Sequence, residues 1–374
     1  MKTCRSGINP SYTSRVVRSW AIAFACLLIL AILWDAFQTI VLSRRVLRRF
    51  RLTRVFYLLL WTPWSAVARR ISSSRRREDL LTVFGPLSLI LLLVFWAFGL
   101  IFAFGVLHWA LGSQLVTPNG TSGFGTDLYM SGTTFFTLGL GDVTPRTTIA
   151  RGLTVLEGGI GFAFLALVIG YLPLISGAFS RREVWISMLD ARAGSPPTAA
   201  QLLRRHCQDM DQDLREVLRN LEAWSAELLE SHISFPQLCY FRSQHRDQSW
   251  VSALTTVLDV CCLVITRMED GPAPTARLTF AMARHAVIDL CAVLNLAPVQ
   301  TPTDRLGQEE TNRLESFLSK VGVRLRRDET SVAEFASLRA SYEPYVQALS
   351  SRVMMELPEW IGREDEQDRW HTMT

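Results

Sequence analysis

Apolar residues in this chain gather into three long runs, separated and followed by stretches in which the hydrophobic pattern has a different period. Residues 20–42, 85–111 and 149–178 are each long enough to cross a bilayer core, since about 20 residues rising 1.5 Å apiece cover roughly 30 Å. Ser88 and His108 are the polar interruptions of the second run, and Arg151, Glu157 and several glycines interrupt the third. The first run continues past Asp35 and Gln38 into arginines with no small-residue cleavage site, so it reads as a retained span, not a signal peptide. Residues 55–68 are apolar but short, with Pro63 and the aromatics Phe56, Tyr57, Trp61 and Trp64. That length and composition predict a helix lying in the interface.

After Gly194-Ser195-Pro196-Pro197, which breaks any helix, the sequence turns polar and amphipathic. Met210, Leu214, Val217, Leu221, Trp224 and Leu228 recur at alternating spacings of four and three, which places them on one helix face. Residues 250–265 and 278–296 are apolar enough to suggest further spans, but Asp259, His285 and Asp289 interrupt them, so buried core helices are expected. Helical patterns follow over 311–323 and 332–355. The predicted class is all-α: an integral membrane protein with three transmembrane helices and an all-helical C-terminal domain. Its divisions are residues 1–79 (first span and interfacial helix), 80–193 (the two later spans) and 194–374 (helical domain).

Composition sharpens this picture. A chain that is 49% hydrophobic yet 20% charged mixes membrane and soluble parts, and its net charge of +5 comes from arginines bunched beside the apolar runs. Arg44, Arg45, Arg48, Arg49, Arg51, Arg54, Arg69, Arg70, Arg75, Arg76 and Arg77 all fall between the first two runs, which predicts that this segment is cytoplasmic. Residues 112–127 carry no Lys or Arg and are expected outside, with the C-terminal domain in the cytoplasm and the protein multi-pass in the inner (plasma) membrane. The N-terminus is then external, although Lys2, Arg5, Arg15 and Arg18 pull the other way. The basic residues are not interleaved with aromatics as a nucleic-acid surface would be. Seven cysteines with no CxxC pair predict neither a disulfide framework nor a zinc site, the neighbours His206 and Cys207 lack further ligands, and Asn119-Gly120-Thr121 carries no weight as a glycosylation triplet.

Between the second and third runs, a short helical pattern over 127–136 leads into Thr137-Leu138-Gly139-Leu140-Gly141-Asp142. A cation entering a narrow pore loses water and needs oxygen ligands in exchange, which rings of backbone carbonyls provide. Successive carbonyls face one axis only if the backbone alternates between unusual dihedrals, and Gly139 and Gly141 adopt left-handed ones cheaply. Thr137 adds a hydroxyl at the inner mouth, and Asp142 marks the outer one. Non-helical backbone at membrane depth is tolerable where it is buried in protein or lines water, as in a re-entrant loop between two spans.

This order of parts, outer helix, pore helix, filter and inner helix, resembles the potassium-channel pore module of bacterial channels over about a quarter of the chain. The resemblance implies Thr137, Leu138, Gly139, Leu140 and Gly141 as ion-binding filter, with potassium as the permeant ion. It also implies pore-helix support from Thr133 and Thr134, a homotetramer that closes the ring, and a gating hinge near Gly159 and Gly161, where close helix packing is the equal alternative. The usual second and fourth filter residues are valine or isoleucine and tyrosine or phenylalanine, so Leu138 and Leu140 depart from the pattern; some loops of two-pore channels carry a similar Gly-Leu-Gly. Without a tyrosine hydroxyl to brace the filter, strict selectivity over sodium is in question.

Glu157 is an intramembrane acid that must face protein or cavity, either as a filter-supporting or cavity-facing acid or in a structural hydrogen bond, for example to a pore-helix threonine. Asp35 is read as a residue near the cytoplasmic end of the first helix. No span carries arginine at every third position, which argues against voltage gating. Residues 240–250, with Tyr240, Phe241, Arg242, Ser243, Gln244, His245, Gln248 and Trp250, form the densest polar and aromatic cluster of the C-terminal domain and are a candidate site for an unknown ligand or protein. No nucleophile motif, phosphate loop or metal-ligand set is visible, His285 reads as a core histidine, and neither an enzyme nor a cofactor is expected. The readings left open are a potassium channel, a non-selective cation channel, and a non-conducting receptor or scaffold that keeps the pore fold.

Overall fold

The computed structural model describes residues 10–41, 52–117, 120, 123–206, 212–245 and 247–362. The arginines between 44 and 51, Lys2, Arg5, Asn119, Thr121, Cys207 and Met210 lie outside these residues. The chain is almost wholly helical: α1 (Pro10–Ile40), α2 (Leu52–Arg70), α3 (Ser74–Leu111), α4 (Phe124–Phe135), α5 (Thr148–Ala193), α6 (Ala199–Arg205), α7 (Gln212–Ser234), α8 (Trp250–Thr266), α9 (Ala273–Leu294), α10 (Gln308–Lys320), α11 (Glu329–Ala340) and α12 (Glu343–Val353). A two-residue antiparallel ladder pairs β1 (Leu115–Val116) with β2 (Thr144–Pro145).

Within α1, α3 and α5, three stretches are long and apolar enough to cross a membrane. α3 and α5 outrun the apolar segments that announce them, by about three turns at the start of α3 and four at the end of α5. Arginine, glutamate and leucine are good helix formers, so the helix persists after the hydrophobic pattern stops. The pattern over 332–355 divides at Tyr342, because Pro344 in the first turn of α12 has no N–H to continue α11.

The contacts divide the chain into two compact units, Met1–Ser43 with Leu47–Thr62 and Pro86–Leu174, and Arg44–Val46 with Pro63–Gly85 and Ile175–Thr374. α2, α3 and α5 each pass from one unit to the other within two residues of an internal proline, Pro63, Pro86 and Pro173. Proline removes one backbone hydrogen bond and is the usual place for a helix to bend.

In the first unit, Asp35 has a larger role than its place near a helix end suggests. Its buried carboxylate accepts from the Thr53 N–H at 3.1 Å, the Thr53 hydroxyl at 2.6 Å and the Trp96 indole N–H at 3.0 Å. Thr53 lies in the first turn of α2, where N–H groups have no partner inside the helix. The acid of α1 therefore caps α2 from outside and ties both to α3.

The second unit is built around α8, in which every residue from Trp250 to Thr266 is buried, against α6, α9, α11 and α12. A helix apolar on all sides is a core helix here, and Ser249 caps it by accepting the Ser252 N–H. α7 turns Leu214, Val217, Leu221, Trp224 and Leu228 inward, the face that its spacing predicted. Asp259 of α8 receives Arg305 through both terminal nitrogens, at 2.8 and 3.1 Å, and the Tyr342 hydroxyl at 2.6 Å, while Arg305 also reaches Glu343 at 2.8 Å. Burial alone would lower the Arg305 guanidinium, but Asp259 and Glu343 outweigh it and hold its pKa far above the ordinary value. His285 is not a core residue: its side chain is 57% exposed and pairs with Asp289 one turn on, at 3.0 Å.

His232 of α7 is buried against Trp250. Its Nδ1 lies 2.8 Å from the Leu228 carbonyl and its Nε2 lies 3.4 Å from the Arg182 guanidinium, an arrangement satisfied by a neutral ring with the proton on Nδ1. Burial, reinforced by Arg182, pushes its pKa from 6.5 down to about 3. The unfolded chain thus binds a proton that the folded one refuses throughout that window, and stability falls as pH drops below 6.5. Thermal melting between pH 7 and 4.5 should show a loss of about 1.4 kcal/mol per pH unit from this group. In His232→Gln that part of the slope should vanish; an unchanged slope would remove His232 as its source.

Candidate pore loop and its support

The segment Thr137–Asp142 follows directly from α4. Phe136 closes the helix by donating to the Gly132 carbonyl at 3.1 Å, and the chain then reverses upon the helix end. Thr137 N–H donates to Thr134 O at 2.9 Å, and Leu138 N–H to Thr133 O at 2.8 Å, with Gly139 N–H 3.4 Å from the same carbonyl. Thr133 and Thr134 thus support the loop through backbone carbonyls; the Thr133 hydroxyl bonds back to Met130 O at 3.0 Å.

The dihedrals alternate along the loop. Thr137, Gly139 and Gly141 have φ of 57°, 55° and 77°, while Leu138 and Leu140 between them stay out of the left-handed region. Two glycines meet this demand at little cost; Thr137 meets it with a side chain and is one of few non-glycine residues there. In the single chain, Leu138 and Leu140 are 60% and 63% exposed, and no atom approaches within 4 Å of where a Cβ would stand on Gly139 or Gly141.

Four contacts hold this loop and α4 in place. At the far end of the filter, Asp142 accepts from the Tyr129 hydroxyl at 2.8 Å and from the Val143 N–H at 3.0 Å. Just beyond, the β1–β2 ladder and the Arg146 N–H to Gln114 O bond, at 2.9 Å, tie the returning strand to the segment after α3. At the C-terminal end of α4, Gly161 of α5 meets the chain so closely that a Cβ there would lie 2.0 Å from the Phe135 carbonyl oxygen. Only glycine fits that approach, and α5 runs through Gly159 and Gly161 unbroken.

The fourth contact is the buried one. Glu157 of α5 and His108 of α3 are completely inaccessible, with Oε2 and Nε2 facing each other at 3.6 Å. The Ser131 hydroxyl of α4 sits between helices, 2.7 Å from Ile101 O and in a very short contact with Glu157 Oε1. A hydroxyl carries one hydrogen, so both contacts are satisfied when Ser131 donates to Ile101 O and accepts from a protonated Glu157. His108 Nδ1 in turn pairs with Ser113 Oγ at 3.0 Å. The hydrogen bond of Glu157, for which a pore-helix threonine was the expected partner, is thus made to Ser131. His108 and Tyr129 completed the support unforeseen; the one signal for His108 was a polar residue interrupting an apolar run.

This geometry separates two substitutions. Glu157→Gln keeps an N–H for Ser131 and should leave thermal stability in detergent nearly unchanged, whereas Glu157→Ala leaves His108 facing a void and should cost about 1.5–3 kcal/mol. Equal melting of both variants and the wild type would show that the buried acid holds nothing.

No curated protein and no solved structure matches the chain. Residues 89–173, which run from within α3 through α4 and the filter segment to Pro173 of α5, match the family model Ion_trans_2, described as an ion channel, and make this stretch an ion-channel pore domain.

Proposed function

We propose that the chain is one subunit of a homotetrameric potassium channel of the inner (plasma) membrane, regulated by its helical C-terminal domain, which lies in the cytoplasm. The observation that carries this reading is the alternation of left-handed backbone at Thr137, Gly139 and Gly141 with Leu138 and Leu140 between, the pattern that turns successive carbonyls toward one axis. The exposed leucines and open glycines of the single chain suit a filter that other copies complete, since one loop cannot surround an ion. α4 ends at the filter, and the partial negative charge of a helix C-terminus, about half an electron, favours a cation there. Potassium flux into liposomes holding the purified protein tests this directly. Gly141→Ala places a Cβ where φ is 77° and should abolish flux while the oligomer survives; wild-type flux in that variant would remove the filter assignment.

Selectivity rests on a different residue. Leu140 stands where the similar channels carry an aromatic and offers no hydroxyl to brace the carbonyl cage from behind. A brace worth about 0.5–1.5 kcal/mol corresponds to a permeability ratio lower by about two- to tenfold than in a Leu140→Tyr variant whose hydroxyl finds a partner. Reversal potentials with potassium opposed to sodium measure the ratio, and equal permeability of the two ions in the wild type would replace the potassium reading with that of a non-selective cation channel.

A further inference from the structure

Residues 240–244 contact the ends of both helices that flank the filter. Toward α3, the Tyr240 ring packs on Phe84 with centroids 5.5 Å apart, Phe241 covers Gly85, and Arg242 Nε lies 3.4 Å from Glu78. The approach at Gly85 is close enough that a Cβ there would stand 2.9 Å from the Phe241 ring and 3.1 Å from its Cα. Toward α5, the Phe241 ring packs on Phe179 at 5.8 Å, and Arg182 donates to the Phe241 and Leu238 carbonyls, both at 3.0 Å. Glu183 accepts from the Ser243 hydroxyl at 3.3 Å and the Gln244 N–H at 3.1 Å, and Gln248 reaches Asp190, two turns further along α5, at 3.0 Å. Arg242 continues into the domain, donating to the Val353 and Met354 carbonyls at the end of α12, at 2.9 and 2.8 Å. Arg182, Glu183, Arg242 and Ser243 are all buried.

We propose that this segment is a clamp that fixes the spacing between the 74–85 end of α3 and the C-terminal part of α5, with Phe241 as the spacer, so that movement of the helical domain is delivered to both pore helices together. The proposal rests on the channel reading above and names the element through which regulation acts. Three observations favour a transmitting device over ordinary packing. The segment grips α5 and α3 simultaneously, so neither helix end shifts without the other or without breaking its hydrogen bonds to Arg182 and Glu183 or the Arg242–Glu78 pair. It is tied by Arg242 to the last helix of the domain. Pro86 and Pro173 remove a backbone hydrogen bond just beyond the clamped lengths, which leaves α3 and α5 free to bend there. The cluster that sequence alone offered as a ligand site is occupied by the chain's own helices.

A spacer has a signature that a merely stabilising residue lacks: thinning and thickening act in opposite senses. Spin labels at Val83→Cys and Val184→Cys, both exposed positions, report the separation of the two helix ends in full-length protein, with labelled chains diluted into unlabelled ones and reactive native cysteines replaced by serine. Phe241→Ala should shorten that distance and Phe241→Trp lengthen it, and Gly85→Ala, which pushes Phe241 from the other side, should follow the tryptophan variant. Potassium flux in liposomes should change in opposite directions for Phe241→Ala and Phe241→Trp, by about two- to thirtyfold. Phe280→Leu, elsewhere in the same core, should alter neither. Distances that move together or not at all overturn the clamp, as does a Phe280→Leu variant that mimics Phe241→Ala. Opposed distances with unchanged flux overturn its coupling to the pore. A wild type that conducts nothing would sink the channel reading, while the distances would still decide whether the clamp exists.

Discussion

Inside a bilayer, every backbone N–H and C=O must find its partner within the protein, and a stretch that leaves helical geometry there needs a scaffold for each residue. The segment Thr137 to Gly141 meets that constraint by handing its first amides to the carbonyls of Thr133 and Thr134, which the end of α4 leaves open. Its own carbonyls take no part in those bonds and are available to a ligand. Everything else around the loop keeps α4 from moving: Gly161 lets α5 press against the helix end, Ser131 and Glu157 lock its flank, and Asp142 with the β1–β2 ladder fixes the return.

The charged groups of the second unit follow a related rule with a different solution. Asp259, Glu343 and Arg305 form a buried triad that needs all its members, because removing one leaves a charge in a poor solvent and typically costs about 3–5 kcal/mol. Arg305 and Arg339 also lie over the Trp360 ring, at 5.6 and 5.3 Å, so the last described stretch of chain is held by cation–π contact. Arg182 uses backbone carbonyls in place of a second carboxylate. Each guanidinium gathers segments distant in sequence, which a five-donor planar group does better than an ammonium.

How much of this was legible in the sequence depends on the range over which each signal acts. The long apolar helices and the inward face of α7 are written in local spacing, and the structure has both. Helix ends were read short because hydropathy marks the membrane-compatible part of α3 and α5, whereas the helix ends where backbone bonds stop. The division between α11 and α12 was written plainly in Pro344 but masked by apolar residues on either side. The partners of Asp35 and Glu157 lie 18 to 61 positions away, beyond any periodicity, so the sequence marks each acid without naming what it holds.

Asp259 also bears on how the chain is made. α8 is 17 residues of mostly apolar sequence, and it is made after three helices that are long and apolar enough to cross a membrane. A central aspartate raises the cost of lateral release into lipid by about 2.5–3.5 kcal/mol, enough to turn a borderline segment back to water. Its counter-ion Arg305 follows 46 residues later, so when α8 has just been made the acid has yet to meet that partner. The same carboxylate therefore disfavours entry of the bare segment into lipid and anchors the folded core.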